Sequence, residues 1–355
     1  MKKILLASSA LVLVGGAAFA EVTLKGSAEF GIFGGSYNDL PLPDGSGDIV
    51  SEDIPAQFHT DMDVDFILSG ETDGGVTFGA DIDLDEVANG IPSASGVKAL
   101  VFVSGDFGTI SGGDTDGAFD WALTENNFGL SGSIIDNEEH IGFSGQDILD
   151  GFYDGQVVRY DYSFGAFAFG LSAEIDDDRG NDGAADTDDP VYGVGAKYTL
   201  DLASGSVKFG AGWQGVEDAY LAGISAAATF GDLSASVSYF DGEVYNLALG
   251  VNDEGTNIAL SSSGEGDLSS DNLVDITYTG LSVGYTFDAI TVGANYGTYD
   301  IPGYDDIYGY GVTAGYDLGG SLSLLAGYGK SVGKAADGSL DGDADTYSIG
   351  LSMGF

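Results

Sequence analysis

The feature that most constrains this chain is an alternation of period two that recurs from residue 21 almost to its end. The last stretch shows it plainly. Tyr347, Ile349, Leu351, Met353 and Phe355 share one parity, while Ser348, Gly350, Ser352 and Gly354 take the other. In a strand these two sets point to opposite faces. No helical pattern supplies a cover for so many apolar faces. The economical solution is an all-β protein, a transmembrane antiparallel β-barrel with lipid outside and water inside.

The N-terminus gives independent support. Lys2 and Lys3 precede an apolar run from Ile4 to Val14, closed by Ala18-Phe19-Ala20. These are the marks of a signal peptide spanning 1–20, leaving one mature barrel domain, 21–355. The run is too short to cross a bilayer as a helix. Export together with amphipathic strands predicts the outer membrane of a Gram-negative cell. The chain has no cysteine, which excludes a disulfide framework and a thiolate metal site. Fifty-nine glycines against 6 prolines suit strands and tight turns, and 19 tyrosines with 20 phenylalanines supply interface girdles. Acidic residues number 57 and basic residues 10, a net charge of −47, and loss of Lys2 and Lys3 makes it −49. Such a charge repels nucleic acid, excluding it as a partner, and attracts cations.

Alternating segments fall near 21–34, 56–70, 75–86, 96–105, 108–114, 156–164, 167–175, 190–200, 205–214, 219–230, 232–241, 273–287, 290–300, 306–317, 320–331 and 344–355, sixteen in all. Every second connection is tiny, and most of the others are long and acidic, as at 35–55, 115–155, 176–189, 242–272 and 332–343. Short turns on one side and long loops on the other are the pattern of an outer-membrane barrel. The stretch 242–272 has room for a further hairpin.

Parity assigns the lumen. Phe58, Met62, Phe66 and Leu68 point one way and His59, Asp61, Asp63 and Asp65 the other; Phe78, Ile82 and Leu84 oppose Asp81, Asp83 and Asp85. Charge is costly in hydrocarbon, so the acidic face is the lumen. A turn centred on Asp73 would set Asp65 opposite Asp81, Asp63 opposite Asp83 and Asp61 opposite Asp85. Like charges so placed repel, to be offset by a wide solvated lumen, raised pKa values or a divalent cation. The inward basic residues are Lys25, Lys98, Arg159, Lys197 and Lys208; Lys330 has outward parity near a strand end. Other inward positions read mostly as Asp, Gly, Ser and Thr.

The insertion 115–155 combines Asp116, Asp120, Glu125, Asp136, Glu138, Glu139, Asp147, Asp150 and Asp154 with Phe119, Trp121, Phe128, Ile134, Ile135, Phe143, Ile148, Leu149, Phe152 and Tyr153. An exposed loop needs no such apolar load. Packing on the inner wall with the acids toward the pore accounts for both sets.

Catalysis has little to work with: two histidines, His59 and His140, and no cysteine. A solvated His59 among carboxylates is the plainer reading than a histidine–serine pair, and paired carboxylates are ordinary in an acidic pore. No cofactor is expected. Asp176-Asp177-Asp178 and Asp182 in an oxygen-rich loop have the chemistry to hold Ca²⁺ or Mg²⁺, yet lack the spaced calcium-loop pattern. A secreted calcium-binding adhesin would repeat glycine–aspartate nonapeptides, and only Gly112-Gly113-Asp114 comes near. A substrate-specific channel would share the fold but need an ordered inward ladder of aromatic or basic side chains.

Five features stand out in order along the chain: Glu21-Val22-Thr23-Leu24-Lys25-Gly26, Val101-Phe102-Val103-Ser104-Gly105-Asp106-Phe107-Gly108, the pair Gly113-Asp114, Tyr316-Asp317-Leu318-Gly319-Gly320 and the terminal Phe355. Together they resemble the general diffusion porins of alphaproteobacteria. The resemblance covers 21–355 and implies a sixteen-stranded homotrimer that passively admits small hydrophilic solutes. It implies that 114–155 is a third external loop folded into the lumen as an eyelet, with Asp114 and the acids above as its negative rim and the five basic residues facing them. It also implies contact with outer-membrane lipid and lipopolysaccharide, and recognition of Phe355 by the barrel assembly machinery. The departure is the second strand, where such proteins tend to carry arginines and this chain has His59, Asp61, Asp63 and Asp65. That difference favours cations.

Overall fold

The computed structural model describes residues 21–41, 49–84, 97–135, 140–143, 145–150, 152, 156–175, 190–245, 247–251, 258–262 and 272–355. The expected signal peptide, Asp85, Asp136, Glu138, Glu139, Tyr153, Asp154 and the loop with Asp176, Asp177, Asp178 and Asp182 lie outside them.

Five strands precede the long insertion: β1 (Glu21–Pro41), β2 (Ile49–Glu71), β3 (Thr77–Leu84), β4 (Val97–Gly105) and β5 (Gly108–Asp114). A short helix, α1 (Ala118–Ala122), lies within that insertion. Then come β6 (Gln156–Phe164), β7 (Phe167–Glu174), β8 (Val191–Leu202), β9 (Gly205–Val216), β10 (Ala219–Phe230) and β11 (Leu233–Tyr245). After them run β12 (Ala248–Val251), β13 (Ile258–Ser261), β14 (Leu273–Phe287), β15 (Ile290–Asp300), β16 (Tyr304–Gly319), β17 (Leu322–Ala335) and β18 (Asp341–Gly354). All but β12 and β13 form one closed antiparallel barrel of sixteen strands, with β11 paired directly to β14.

The seam joins the two ends of the chain. β1 and β18 pair from Ser27 opposite Gly354 to Asn38 opposite Asp343. Phe355 extends the ladder, its N–H donating to the Gly26 carbonyl at 2.8 Å. Closure leaves no edge, the condition for a sheet to sit in hydrocarbon. The outer face is the expected one: Phe30, Phe58, Val101, Val158, Leu171, Ile224, Val283 and Ile349 are all exposed.

Two expectations need correction. First, 35–55 is mostly strand rather than loop. β1 has 21 residues and β2 has 23, about 70 Å each at roughly 3.3 Å per residue, so the first hairpin stands well beyond a hydrocarbon core of about 30 Å. Second, the β2–β3 register differs by two residues: Asp65 faces Asp83 and Ile67 faces Asp81. The connection is the five residues from Thr72 to Val76, with Gly75 at φ +81° and Thr72 N–H bonded to the Val76 carbonyl at 2.9 Å. Its centre is therefore Gly74, and glycine relieves the left-handed backbone at 75. The room for a further hairpin in 242–272 is used: that stretch holds the small hairpin β12–β13, which is separate from the barrel sheet. Its Leu249 and Leu260 are partly buried against the core.

The corrected register explains how facing carboxylates are tolerated. Lys25 is opposite Asp65, Asp65 opposite Asp83, and Asp83 opposite Lys98. The row reads plus, minus, minus, plus across four strands, so each acid has a cation as its other neighbour. We expect Lys25→Gln with Lys98→Gln to lower the unfolding midpoint in detergent by an amount equivalent to about 0.2–1 kcal/mol per cross-strand pair. Adding Asp65→Asn should restore most of the loss. No recovery on that third change would contradict the row.

Candidate functional site

The insertion after β5 begins with α1, whose sequence Ala-Phe-Asp-Trp-Ala buries Ala118, Phe119 and Ala122. The first helical N–H groups have no partner within a helix; here Asp150 Oδ2 accepts from Gly117 N–H at 2.7 Å, and Ser172 Oγ on β7 accepts from Ala118 N–H at 2.8 Å. Contacts then continue from strand to strand. Thr124 N–H donates to Ser225 Oγ on β10 at 3.0 Å, Ser238 on β11 donates to Asn126 Oδ1 at 3.1 Å, and Ser282 on β14 donates to the Phe128 carbonyl at 2.9 Å. His140 Nε2 meets Asn295 Oδ1 on β15 at 2.9 Å, and Ile141 N–H donates to Ser331 Oγ on β17 at 2.9 Å. Ser172, Ser225, Ser238, Ser282 and Asn295 each have the parity opposite to an exposed apolar side chain beside them, and Ser331 has the parity opposite to the exposed Leu324 of its own strand.

Small residues permit this approach. A Cβ on Gly195 would stand 2.0 Å from the Ala118 carbonyl oxygen, and one on Gly284 would stand 1.8 Å from that of Gly129. Larger inward side chains fill the gaps between. Phe240, Tyr278 and Tyr299 form a row with ring centroids 4.8 and 4.9 Å apart, and Phe119 packs edge-on against Phe240 at 6.2 Å. All four rings are buried. This row departs from the expectation of an inward face made mostly of Asp, Gly, Ser and Thr. Its parity was visible in the sequence; its role was not, because it is a floor for the insertion and offers no ladder to a passing solute. Asn126, fully buried, ties the two passes together by donating to the Tyr278 hydroxyl and to the Gly142 carbonyl. His140 is also buried, and loss of water lowers its pKa to about 4, so it is neutral at pH 7.

The charged residues sort into two mixed patches. On β2 and β3 the inward Asp61, Asp63, Asp65, Asp81 and Asp83 are interleaved with Lys25 and Lys98 rather than set across from them. Near the start of the insertion, Asp116, Asp120, Glu125, Asp147 and Asp150 interact electrostatically, and Arg159, Lys197 and Lys208 come from the neighbouring wall. Arg159 Nη1 donates to the Asp116 carbonyl at 2.6 Å, and its Nε lies 3.6 Å from Asp161. Lys197 Nζ stands 3.9 Å over the Trp121 ring, with Arg159 5.8 Å from the same ring. Asp114 is exposed at the end of β5. Lys330 forms an ion pair with Asp343 of β18 on the outward face.

Burial alters the acids of the second patch. Desolvation raises the Asp120 carboxyl to about 9, aided by Asp150, Asp147, Asp116 and Glu125. It raises Asp150 to about 7 even though Gln214 and Gly117 donate to it, and it raises Asp147 as well. At neutral pH Asp120 and Asp150 contribute less negative charge than the sequence count implied.

With the barrel, the insertion and the charged faces in place, comparison with known proteins is decisive. The model of the Gram-negative porin family matches residues 7–336. The chain belongs to that family. It is 32% identical over 278 residues to a porin of Rhodobacter capsulatus, covering 74% of this chain and 84% of that protein. A porin structure refined at 1.8 Å resolution is similar with a TM-score of 0.62 and 26% identity, covering 94% of this chain and all of that one. An anion-selective porin from Comamonas acidovorans, at 14% identity and covering 95% of this chain and all of its own, has a TM-score of 0.57 and shares the fold alone. The family and the fold indicate the outer membrane, and they point to a channel rather than an enzyme.

The raised carboxyls carry a pH prediction. Their unfolded pKa is about 3.9, so the folded protein binds more protons than the unfolded chain between that value and the folded pKa values. Their contribution to stability is complete below about pH 4 and is lost as pH rises through about 7 for Asp150 and about 9 for Asp120. Thermal midpoints should fall from about pH 5 to about pH 9, and fall less in Asp120→Asn/Asp150→Asn. Equal slopes in the two proteins would contradict this.

Proposed function

We propose that this porin is a passive diffusion channel for ions and small hydrophilic solutes, cation-preferring, and narrowed by the segment 114–155. The observation that carries the reading is the inward face of β2 and β3, where Asp61, Asp63, Asp65, Asp81 and Asp83 outnumber the flanking Lys25 of β1 and Lys98 of β4. Rings of one charge sign in a pore concentrate the opposite ion. Contacts of the insertion with small inward residues from β7 to β18 support its seat inside the barrel, and a seat there removes cross-section from the lumen. Fold does not set the sign of selectivity, since an anion-selective porin has the same architecture. The sign comes from the wall residues. With Asp120 neutral, the second patch adds less to the preference than the first, so selectivity rests chiefly on β2 and β3 at pH 7.

The same proposal takes the protein to be exported by its signal peptide, to assemble as a homotrimer in contact with lipopolysaccharide, and to use Phe355 as an element read by the assembly machinery. The resemblance to diffusion porins supports these points. Acidic loops such as that with Asp176, Asp177, Asp178 and Asp182 would bridge to lipopolysaccharide phosphates through Ca²⁺ or Mg²⁺.

Reversal potentials in a potassium chloride gradient test the reading. We expect cation preference at low salt that fades as the screening length drops below about 10 Å, its value near 0.1 M. It should weaken in Asp61→Asn/Asp63→Asn/Asp65→Asn and strengthen from about pH 6 to about pH 9 as the insertion acids ionise. Anion preference at low salt would overturn the assignment of these faces.

A further inference from the structure

Beside α1 lies a cavity of about 460 Å³ whose lining carries both signs, Lys197 and Lys208 with Asp116 and Glu125, together with Asp120 and the Trp121 ring. Lys197 is opposite Ala168, and Lys208 is opposite Thr199, on strands that pair directly. The two lysines are thus diagonal neighbours on one face, a separation of about 7–8 Å. In a chain with 57 acidic residues, neither has a carboxylate within ion-pair distance among the described residues. Lys197 instead lies over the Trp121 face, a weaker substitute for an anion. Asp116 and Asp161 act on Lys197 only from beyond ion-pair distance, so two adjacent cations with no direct carboxylate partner among the described residues leave a place for the anionic group of a solute.

The lumen around them decides the rest of that solute. A simple anion must cross an acidic field to reach the lysines, and that field lowers its local concentration. A molecule with one carboxylate and one ammonium carries no net charge and meets complementary groups on both sides. We propose that this cavity is a binding subsite for small zwitterions, amino acids and short peptides in class, with the solute carboxylate at Lys197 and Lys208 and its ammonium toward Asp116 and Glu125. This rests on the diffusion-channel reading and names a solute class that the channel holds briefly in transit.

Single-channel potassium currents test it with three probes of similar size: 4-aminobutyrate, butyrate and butyramide. We expect saturable current reduction by 4-aminobutyrate, a weaker effect of butyrate and none from butyramide. Lys197→Gln/Lys208→Gln should raise the half-saturating concentration about tenfold, the loss of one charge-assisted hydrogen bond, and Lys334→Gln, at an exposed strand end, should not. Should the double variant fail to assemble, each single change carries the test. Absence of block, equal block in the variant, or butyrate acting as strongly as 4-aminobutyrate would overturn the subsite. Reversal potentials in the same channels separate the two claims: cation preference without block defeats the subsite alone, and anion preference defeats the channel reading beneath it.

Discussion

Every other feature of this protein depends on the unbroken ring of backbone hydrogen bonds that ends where β18 meets β1. In hydrocarbon an unpaired N–H or C=O costs several kcal/mol, so a sheet of this size survives only by closing on itself. The ladder from Ser27–Gly354 to Asn38–Asp343, extended by Phe355 to Gly26, supplies that closure. Once the backbone is satisfied within the ring, the side chains divide by parity alone. The outward set has only to match lipid. The inward set is released from forming a core.

That release is what the interior exploits. A soluble sheet would fill its inner face with bulky apolar residues; here much of the face opposite the exposed apolar one is glycine and serine, and the insertion after β5 packs against those residues. Its carbonyls approach Gly195 and Gly284 where no side chain would fit, its amides bond to Ser172, Ser225 and Ser331, and its Phe119 ring packs edge-on against Phe240. The consequence is electrostatic. Acids drawn against the wall lose water and hold their protons, as Asp120 and Asp150 do, while those on β2 and β3 stand in a row moderated by Lys25 and Lys98. The charge that ions meet is therefore set by packing as much as by composition.

Most of this architecture was legible in the sequence because period two is a direct image of a two-faced sheet. Apart from the outer ends of β1 and β2, the barrel strands were placed by it within a few residues, and the apolar load of 115–155 announced a packed insertion. What escaped had physical reasons. The outer halves of β1 and β2 rise beyond the lipid, where neither face must be apolar, so Tyr37-Asn38-Asp39 and Ser51-Glu52-Asp53 lose the alternation and read as loop. The β2–β3 register turned on whether the chain reverses at Asp73 or Gly74, a matter of the backbone at Gly75 that parity does not report. Phe240, Tyr278 and Tyr299 were visible as inward aromatics, but only the insertion resting on them gives them a purpose. The raised pKa values of Asp120 and Asp150 come from burial by residues far away in the chain.

The central proposal is that the insertion occupies the lumen and sets its width while the sixteen strands close without it. Single-channel conductance of a protein with 122–150 replaced by a short Gly-Ser link tests this most directly. The account predicts a folded, heat-modifiable barrel whose conductance is clearly larger than that of the intact protein. An unchanged conductance in a folded barrel would contradict it.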